Sequence, residues 1–259
     1  MSPVSGNVHL LMDGPIAEMR LDNPAKLNAL TPAMLDQIAA HCEVIERQTH
    51  VVAVLVTATG PKAFCTGADI NAWAELSPAD FARHWVRAGH RVFDRLARLS
   101  KPTIAVLEGP AYGGGLELAS ACDTRVMAPR SKIALPETSV GIVPGWSGSQ
   151  RLARLLPEAV LKEMALFGRV LTAERCLALG FVAEVSDDPC AAALEMADRL
   201  RVTSPRATEV AKYMIHAAVG EDRGAMIEAL GSGMTAASAD KAEGVAAFRA
   251  KRKPDYRGE

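Results

Sequence analysis

Two apolar runs rich in β-branched residues constrain the fold most. Residues 51–57 read VVAVLVT and residues 103–107 read TIAVL, with no charged side chain in either run. A strand with one solvated face alternates polar and apolar residues, whereas a uniformly apolar strand is buried on both faces. The two runs therefore predict strands in a sheet that other elements cover on both sides, as in an α/β protein.

The other elements indicate a strand-rich α/β part followed by an all-helical part. Asp13-Gly14-Pro15 separates two alternating segments and predicts a hairpin, since glycine accepts positive φ. Helices are expected after Thr31-Pro32, over residues 78–99 and from Gly114, and short strands over 125–128, 132–135 and 182–185. From residue 147 the pattern is otherwise helical. We place one domain at residues 1–200 and a C-terminal helical region at residues 201–259.

Composition excludes several classes of protein. The 259 residues carry a formal net charge of −1, which argues against nucleic-acid binding and against a membrane surface held by basic charge. Five cysteines form no CxxC pair, so neither a zinc site nor a disulfide framework is predicted. The N-terminal segment lacks the pattern of a signal peptide, and no apolar stretch reaches the length of a membrane span. We expect a soluble, cytoplasmic protein without a bound metal.

A glycine run at the start of a helix is the first candidate site. Gly113, Gly114 and Gly115 follow the second apolar strand and lead into Leu116 and Glu117. The amides at such a helix start can hold a phosphate or a developing oxyanion, although tight packing alone also selects glycine. A phosphate loop would need Lys-Ser or Lys-Thr after the glycines, and neither is present. One helical turn directs the Glu117 carboxylate back toward the glycine amides.

Two more segments are candidates for parts of a functional site. Residues 63–69 (AFCTGAD) follow the first apolar strand, and there Gly67 permits an irregular backbone beside the Ala68 amide. Glu137 follows the apolar residues 132–135, where a bare carboxylate is costly unless it has a partner or a role.

In order and spacing these segments resemble the enoyl-CoA hydratase/isomerase (crotonase) family. The resemblance runs from about residue 7 to the end of the chain. Its motifs are residues 22–24 (DNP) with 27–30 (LNAL), 63–69 (AFCTGAD), 112–117 (YGGGLE), 135–137 (LPE) with 140–145 (VGIVPG), 149–152 (SQRL), and 247–248 (AF) with 251–254 (KRKP).

The resemblance implies a fold of stacked ββα units forming two packed sheets, with a C-terminal helical region that oligomerises into trimers or hexamers. It implies that the Ala68 and Gly114 amides bind a thioester oxygen and that Glu117 and Glu137 are the catalytic carboxylates. Coenzyme A would enter as part of the substrate, with no separate cofactor. Its contacts would come from Lys26, Leu27, Ala68, Asp69, Ile70 and Gly113, with Phe248 and Lys251 in the tail reaching a phosphate.

Departures from the family pattern concentrate near the expected acyl pocket. Residues 146–149 (WSGS) stand where many relatives carry Gly-Gly-Thr, so Trp146 either narrows the pocket or packs a loop. Cys65 has no histidine partner in its motif, which favours a structural thiol over a nucleophile. Residues 72–90, which include Trp73, Phe81, His84 and Trp85, match the variable segment that shapes the pocket. We expect His84 to be a surface residue.

Because both carboxylate positions hold glutamate, hydration of 2-enoyl-CoA thioesters is the leading prediction. A Δ3-Δ2 enoyl-CoA isomerase is the alternative, since one glutamate could shuttle the proton. Dehydration, decarboxylation, thioester hydrolysis and dehalogenation are also known in the family, but no nucleophilic Asp for dehalogenation can be placed. The net charge and the absence of a lysine-rich helix argue against RNA binding. A catalytically inactive subunit would lack a glutamate or a glycine, and neither is missing.

Overall fold

Two β-sheets form the centre of the larger part of the molecule. The computed structural model describes residues 6–221 and 223–258. The strands found there are β1 (Asn7–Asp13), β2 (Ile16–Asp22), β3 (Ala53–Ala58), β4 (Thr103–Leu107), β5 (Ala111–Tyr112), β6 (Thr124–Met127), β7 (Lys132–Ala134), β8 (Leu171–Thr172) and β9 (Glu184–Val185). The larger sheet has the order β1-β2-β3-β4-β6-β9, and the smaller has the order β5-β7-β8.

The helices surround these sheets and continue to the C-terminus. They are α1 (Pro32–Glu46), α2 (Pro78–Asp80), α3 (Arg87–Ala97), α4 (Gly114–Ser120), α5 (Gly148–Leu155), α6 (Glu158–Phe167), α7 (Ala173–Ala178), α8 (Pro189–Asp198), α9 (Pro205–Ala218), α10 (Arg223–Ala236) and α11 (Ala239–Ala250). The Thr31 hydroxyl caps α1 by accepting from the Met34 N–H, as the Thr-Pro pair predicts.

The two apolar runs lie in the middle of the larger sheet, as predicted. β1 and β2 form the expected antiparallel hairpin, and the other neighbouring pairs of this sheet, from β2–β3 to β6–β9, are parallel. One face of β3 and β4 contributes to the main core through Val54, Val56 and Ala105. On the other face Leu55 and Ile104 belong to a second apolar cluster with residues of α8. Burial on both faces explains why the two runs contain no alternating polar residues.

The helix predicted over residues 78–99 is present but irregular. α2 passes into a π-helical segment, Phe81–Val86, and then into α3. π-Helical turns are rare and are frequent at functional sites. This one carries Phe81 and Trp85, which line a cavity in the first unit.

Four short strands differ from the sequence prediction. β5 and β8 were not expected, because two-residue strands contain too few residues for a period to be recognised. The strand expected over residues 182–185 contains only Glu184–Val185. Glu137 was expected directly at the end of a strand, but β7 ends at Ala134 and Glu137 begins a 3₁₀ turn, Glu137–Val140.

The loop after β3 connects the two sheets. Cys65 forms a parallel bridge with Ala111 of β5, and Ala68 forms one with Leu30. The Leu30 N–H donates to the Gly67 carbonyl at 2.8 Å, and the Asp69 N–H donates to the Leu30 carbonyl at 2.8 Å. The loop is therefore hydrogen-bonded to the backbone on both sides, and its amides have defined positions.

The chain divides into two compact units, with the boundary between Pro205 and Arg206. The second unit contains most of α9, with α10 and α11, so the predicted helical C-terminal region is confirmed. Within it the Arg252 guanidinium makes two hydrogen bonds with the Glu243 carboxylate, at 2.6 and 2.8 Å. None of the helices in the described ranges combines the length and apolar content that a membrane span requires.

Candidate active site

A cavity in the first unit contains both predicted glutamates. Its wall is made by the loop after β3, the start of α4, the 3₁₀ turn after β7, the segment before α5 and the π-helical segment. The lining residues are Thr66, Gly67, Ala68, Trp73, Phe81, Trp85, Val86, Gly113, Gly114, Glu117, Pro136, Glu137, Val140, Ile142, Val143, Gly145 and Trp146. Segments that are far apart in the sequence thus meet at one place, as the motifs predict.

Two backbone amides lie together on the cavity wall. Gly67 (φ +106°) and Gly113 (φ +51°) have left-handed backbone conformations that favour glycine. A Cβ built at Gly67 would lie 3.3 Å from the Gly114 nitrogen, and one built at Gly114 would lie 3.5 Å from the Ala68 nitrogen. Within the described residues neither the Ala68 nor the Gly114 amide donates to another group. Both N–H groups are therefore available to an acceptor in the cavity.

The Glu117 carboxyl is held by two other backbone amides. Glu117 belongs to the first turn of α4 and is only 3% exposed. Its Oε1 accepts from the Trp146 N–H and from the Gly148 N–H, each at 2.8 Å. Among the described residues its Oε2 has no hydrogen-bond partner, so this oxygen remains for a ligand in the cavity.

The Glu137 carboxyl lies in the same cavity with fewer partners. Glu137 is 7% exposed, and its Oε2 is buried without a hydrogen-bond partner among the described residues. A Cβ built at Gly113 would lie 2.9 Å from the Glu137 Oε1. The glycine run therefore also makes room for the second carboxyl, in addition to forming its turn.

Burial keeps protons on this pair of carboxyls. Burial raises the pKa of Glu117 to about 7, and the nearby Glu137 carboxyl adds to the rise. The Trp146 and Gly148 N–H groups and the Arg151 charge oppose that rise, because they favour the ionised form. Burial also raises the pKa of Glu137. Near neutral pH the pair can therefore offer one carboxylate and one carboxylic acid, as general acid–base catalysis requires.

Aromatic rings form the apolar side of the cavity. Trp146 is 5.1 Å from Trp85 and 5.3 Å from Phe93 between ring centroids, and Trp73 is 5.6 Å from Phe81. Trp146 is buried and also lines the cavity, so it both packs its loop and limits the space in the cavity. Trp73, Phe81 and Trp85 line the cavity as expected, whereas His84 does not and is largely exposed.

The predicted coenzyme A contacts fall in both compact units. The Lys26 Nζ lies 2.6 Å from Asp69 Oδ2 in an ion pair beside the Ala68 loop. Leu27 accepts the Thr66 N–H, and Ile70 begins the next turn with half of its side chain exposed. These contacts place Lys26, Leu27, Asp69 and Ile70 on one side of the loop. Phe248 belongs to α11 in the second unit, and Lys251 caps that helix.

The Cys65 thiol is not suited to act as a nucleophile. Burial raises the pKa of the Cys65 thiol to about 12, so it stays protonated at neutral pH and is a poor nucleophile. Over residues 6–221 and 223–258, no group of three or more His, Cys, Asp or Glu side chains could hold a metal ion.

Sequence reasoning missed the residues that hold Glu117. The Trp146 and Gly148 amides act through the backbone, so their side chains give no signal. Ser147 between them has the left-handed conformation, φ +77°. A departure from Gly-Gly-Thr at these positions was visible in the sequence, but its effect on Glu117 was not.

Glu117→Gln should remove a pH-dependent loss of folding stability that burial of the Glu117 carboxyl causes. A carboxyl whose pKa rises from 4.5 to about 7 on folding costs stability increasingly as the pH rises through that range, and the full cost remains above it. We expect the variant to melt at a higher temperature than the parent protein, with a larger gain at pH 8 than at pH 5. Thermal melts at both pH values measure this, with the exposed Glu75→Gln as control. A gain at pH 5 that equals or exceeds the gain at pH 8 would contradict the burial argument.

Comparison with known proteins identifies the family. The family model for enoyl-CoA hydratase/isomerase matches residues 12–259. The short-chain-enoyl-CoA hydratase of Clostridium acetobutylicum is 32% identical over 251 residues, covering 95% of this chain and 96% of that protein. The 2,3-dehydroadipyl-CoA hydratase of Escherichia coli is 34% identical over 244 residues, covering 93% and 94%.

A solved structure shows the same fold. The enoyl-CoA hydratase of Bacillus anthracis superposes with a TM-score of 0.80 at 30% identity, over 98% of this chain and 100% of that one. The crotonase-like fold expected from the motifs is thereby confirmed. The family model, the relatives that cover nearly the whole chain and the shared fold all agree. This chain therefore belongs to the enoyl-CoA hydratase/isomerase (crotonase) family.

Proposed function

We propose that the protein is an enoyl-CoA hydratase, which adds water across the Cα–Cβ double bond of 2-enoyl-CoA thioesters. One observation carries the proposal: the Glu117 and Glu137 carboxyls and the free amides of Ala68 and Gly114 line the same cavity. Membership of the family indicates a reaction of acyl-CoA thioesters, and the cavity contains the kinds of group that hydration needs.

The two amides stabilise the charge that develops on the substrate. Attack of water at Cβ of a conjugated thioester moves negative charge onto the thioester oxygen as an enolate forms. The Ala68 and Gly114 N–H groups would donate to that oxygen, in a cavity with apolar walls where such bonds are strong. Each donor of this kind contributes roughly 3 kcal/mol to the stabilisation of a transition state.

The two carboxyls move the protons. One ionised glutamate takes a proton from the attacking water, and the other, protonated, delivers a proton to Cα. A pair of close, buried carboxyls keeps one proton near neutral pH because ionising both would bury two negative charges. The raised pKa values of Glu117 and Glu137 support this division of the protons.

Replacing either carboxyl should remove hydration. We expect Glu117→Gln and Glu137→Gln each to lower kcat by at least ~10²-fold while the protein stays folded, since amides cannot transfer the protons. Loss of the conjugated-thioester absorbance of crotonyl-CoA measures the rate, and longer and branched enoyl-CoA thioesters extend the panel. Glu75→Gln, an exposed carboxyl, serves as control.

The same variants separate hydratase from isomerase. Near-normal hydration of a good substrate by either glutamine variant would refute the paired mechanism. If only one glutamate matters and a 3-enoyl-CoA is the better substrate, the protein is a Δ3-Δ2 enoyl-CoA isomerase.

Coenzyme A enters this scheme as part of the substrate, with no separate cofactor, and we propose a cytoplasmic enzyme. Its adenine and pantetheine arm would follow Lys26, Leu27, Ala68, Asp69, Ile70 and Gly113. Phe248 and Lys251 would reach a phosphate. The ion pair of Lys26 with Asp69 supports this path, because it fixes a cation next to the Ala68 amide.

Lys26→Ala and Lys251→Ala should weaken binding of acyl-CoA several-fold, because a single phosphate contact in water contributes only ~1 kcal/mol. Turnover of the matching pantetheine thioester, which lacks the diphosphate and the 3′-phosphate, should not change. KM values for the two substrates at low and high salt measure this, with the exposed Lys62→Ala as control. An equal rise in KM for both substrates would mean that the lysines act on structure, and it would refute their proposed contact with a phosphate.

We also propose that the protein assembles as a homo-trimer or hexamer through its C-terminal helices. Several large apolar side chains of the second unit are more than half exposed within the chain, namely Met214, Ile215, Met234 and Phe248. Such exposure is typical of surfaces that associate. Light scattering at micromolar concentration should give the mass of a trimer or a hexamer. A monomer that persists across a concentration series would contradict the assembly.

A further inference from the structure

Ser147 has a backbone conformation that serine rarely adopts. It lies at the start of α5 with φ +77° and ψ 13°, in the left-handed region where a side chain is disfavoured. It is also buried. A non-glycine residue persists in this region only where its surroundings hold it there.

The conformation of Ser147 determines where two catalytically relevant amides point. Its neighbours Trp146 and Gly148 both donate to the same oxygen, Glu117 Oε1. The relative directions of these two N–H groups depend on the backbone angles of the residues between them, which include φ and ψ of Ser147. Successive amides that include a left-handed residue form a concave donor site for an anion. A change of conformation at Ser147 would therefore release Glu117.

A polar contact from another helix holds the Ser147 side chain. The His90 ring of α3 approaches Ser147 Oγ, with Nε2 at 3.0 Å and Nδ1 at 3.3 Å. Asp94, one turn further along α3, has Oδ2 3.6 Å from His90 Nε2. Asp94 Oδ1 also lies 2.5 Å from the buried Arg151 guanidinium of α5. The backbone N–H of Arg151 donates to the Ser147 carbonyl at 2.8 Å, so α5 contacts residue 147 as well.

We propose that His90 is a positioning residue: through Ser147 Oγ it holds residue 147 in the left-handed conformation that directs two amides onto Glu117. His90 does not line the cavity, and its effect passes through the backbone of residues 146–148. The inference rests on the proposed function only in giving Glu117 a catalytic role, and its geometric part can be tested without catalysis.

The proposal makes His90 necessary only while residue 147 carries a side chain. Glycine adopts the left-handed conformation without the steric cost of a Cβ, so Ser147→Gly should remove the need for a restraint. We expect His90→Ala to lower kcat for crotonyl-CoA about tenfold in the parent protein, because small displacements of a catalytic group are costly. In the Ser147→Gly background the same change should cost less than about twofold.

A titration gives a readout that does not depend on turnover. The infrared band of a protonated carboxyl that is absent from Glu117→Gln reports the ionisation of Glu117. Because its two N–H donors favour the ionised form, loosening them in His90→Ala should move the midpoint to higher pH. In His90→Ala/Ser147→Gly the midpoint should return toward that of Ser147→Gly alone.

Each outcome decides between the proposal and a simpler packing role. His84→Ala, an exposed histidine next to the same helix, is the matched control and should leave the rate and the midpoint unchanged. Equal losses from His90→Ala in both backgrounds would overturn the proposal, as would no loss in either. If the parent protein hydrates no enoyl-CoA, the proposed function falls. The infrared titration then still decides whether His90 acts on Glu117 through residue 147.

Discussion

The burial of the Glu117 carboxyl is the constraint on which the rest of the site depends. An ionised carboxylate in an apolar surrounding is costly unless polar groups replace its hydration. Here the replacements are two backbone N–H groups on Oε1, from Trp146 and Gly148. A Cβ built at Gly148 would lie 2.6 Å from Glu117 Oε1. Glycine is therefore required at position 148 by the approach of the carboxyl itself.

The packing of Trp146 connects α3 with the residues that hold Glu117. Trp146 places its amide on Glu117 and its indole against the helix, where a Cβ built at Gly89 would lie 2.2 Å from Trp146 Nε1. The indole N–H donates to the Trp85 carbonyl at 3.4 Å, and Phe93 packs on the ring. A single buried tryptophan thus joins the backbone that holds Glu117 to α3 and to the π-helical segment that lines the cavity. Changes in residues 81–93 can therefore alter both the shape of the cavity and the position of the Glu117 carboxyl.

The sequence allowed the central strands and the two cavity glutamates to be predicted, but not the backbone that surrounds the glutamates. β3 and β4 were predictable because uniformly apolar, β-branched runs have few alternatives to a buried strand. Glu117 and Glu137 stood out because one follows a glycine run and the other an apolar strand, but their expected role came only from the resemblance to the crotonase family. The amides that hold Glu117 come from a loop about 30 residues away, and backbone donors leave no residue type to recognise. The contact of His90 with Ser147 spans 57 residues between two helices, and only the tertiary fold brings those positions together.

The unequal surroundings of the two carboxyls bear on the choice between hydration and isomerisation. With Oε1 fixed by two amides, Glu117 can offer only Oε2 to a ligand, and it cannot swing along an acyl chain without breaking those bonds. An isomerase needs one carboxyl that removes a proton at one carbon and returns it two carbons away. The group with that freedom is Glu137, whose Oε2 has no hydrogen-bond partner among the described residues. If Glu137 alone carried the proton from one carbon to the other, the two N–H groups that hold Glu117 would have no catalytic purpose. Holding Glu117 in one orientation instead suits a water molecule that must be deprotonated at a fixed distance from Cβ, and this favours hydration.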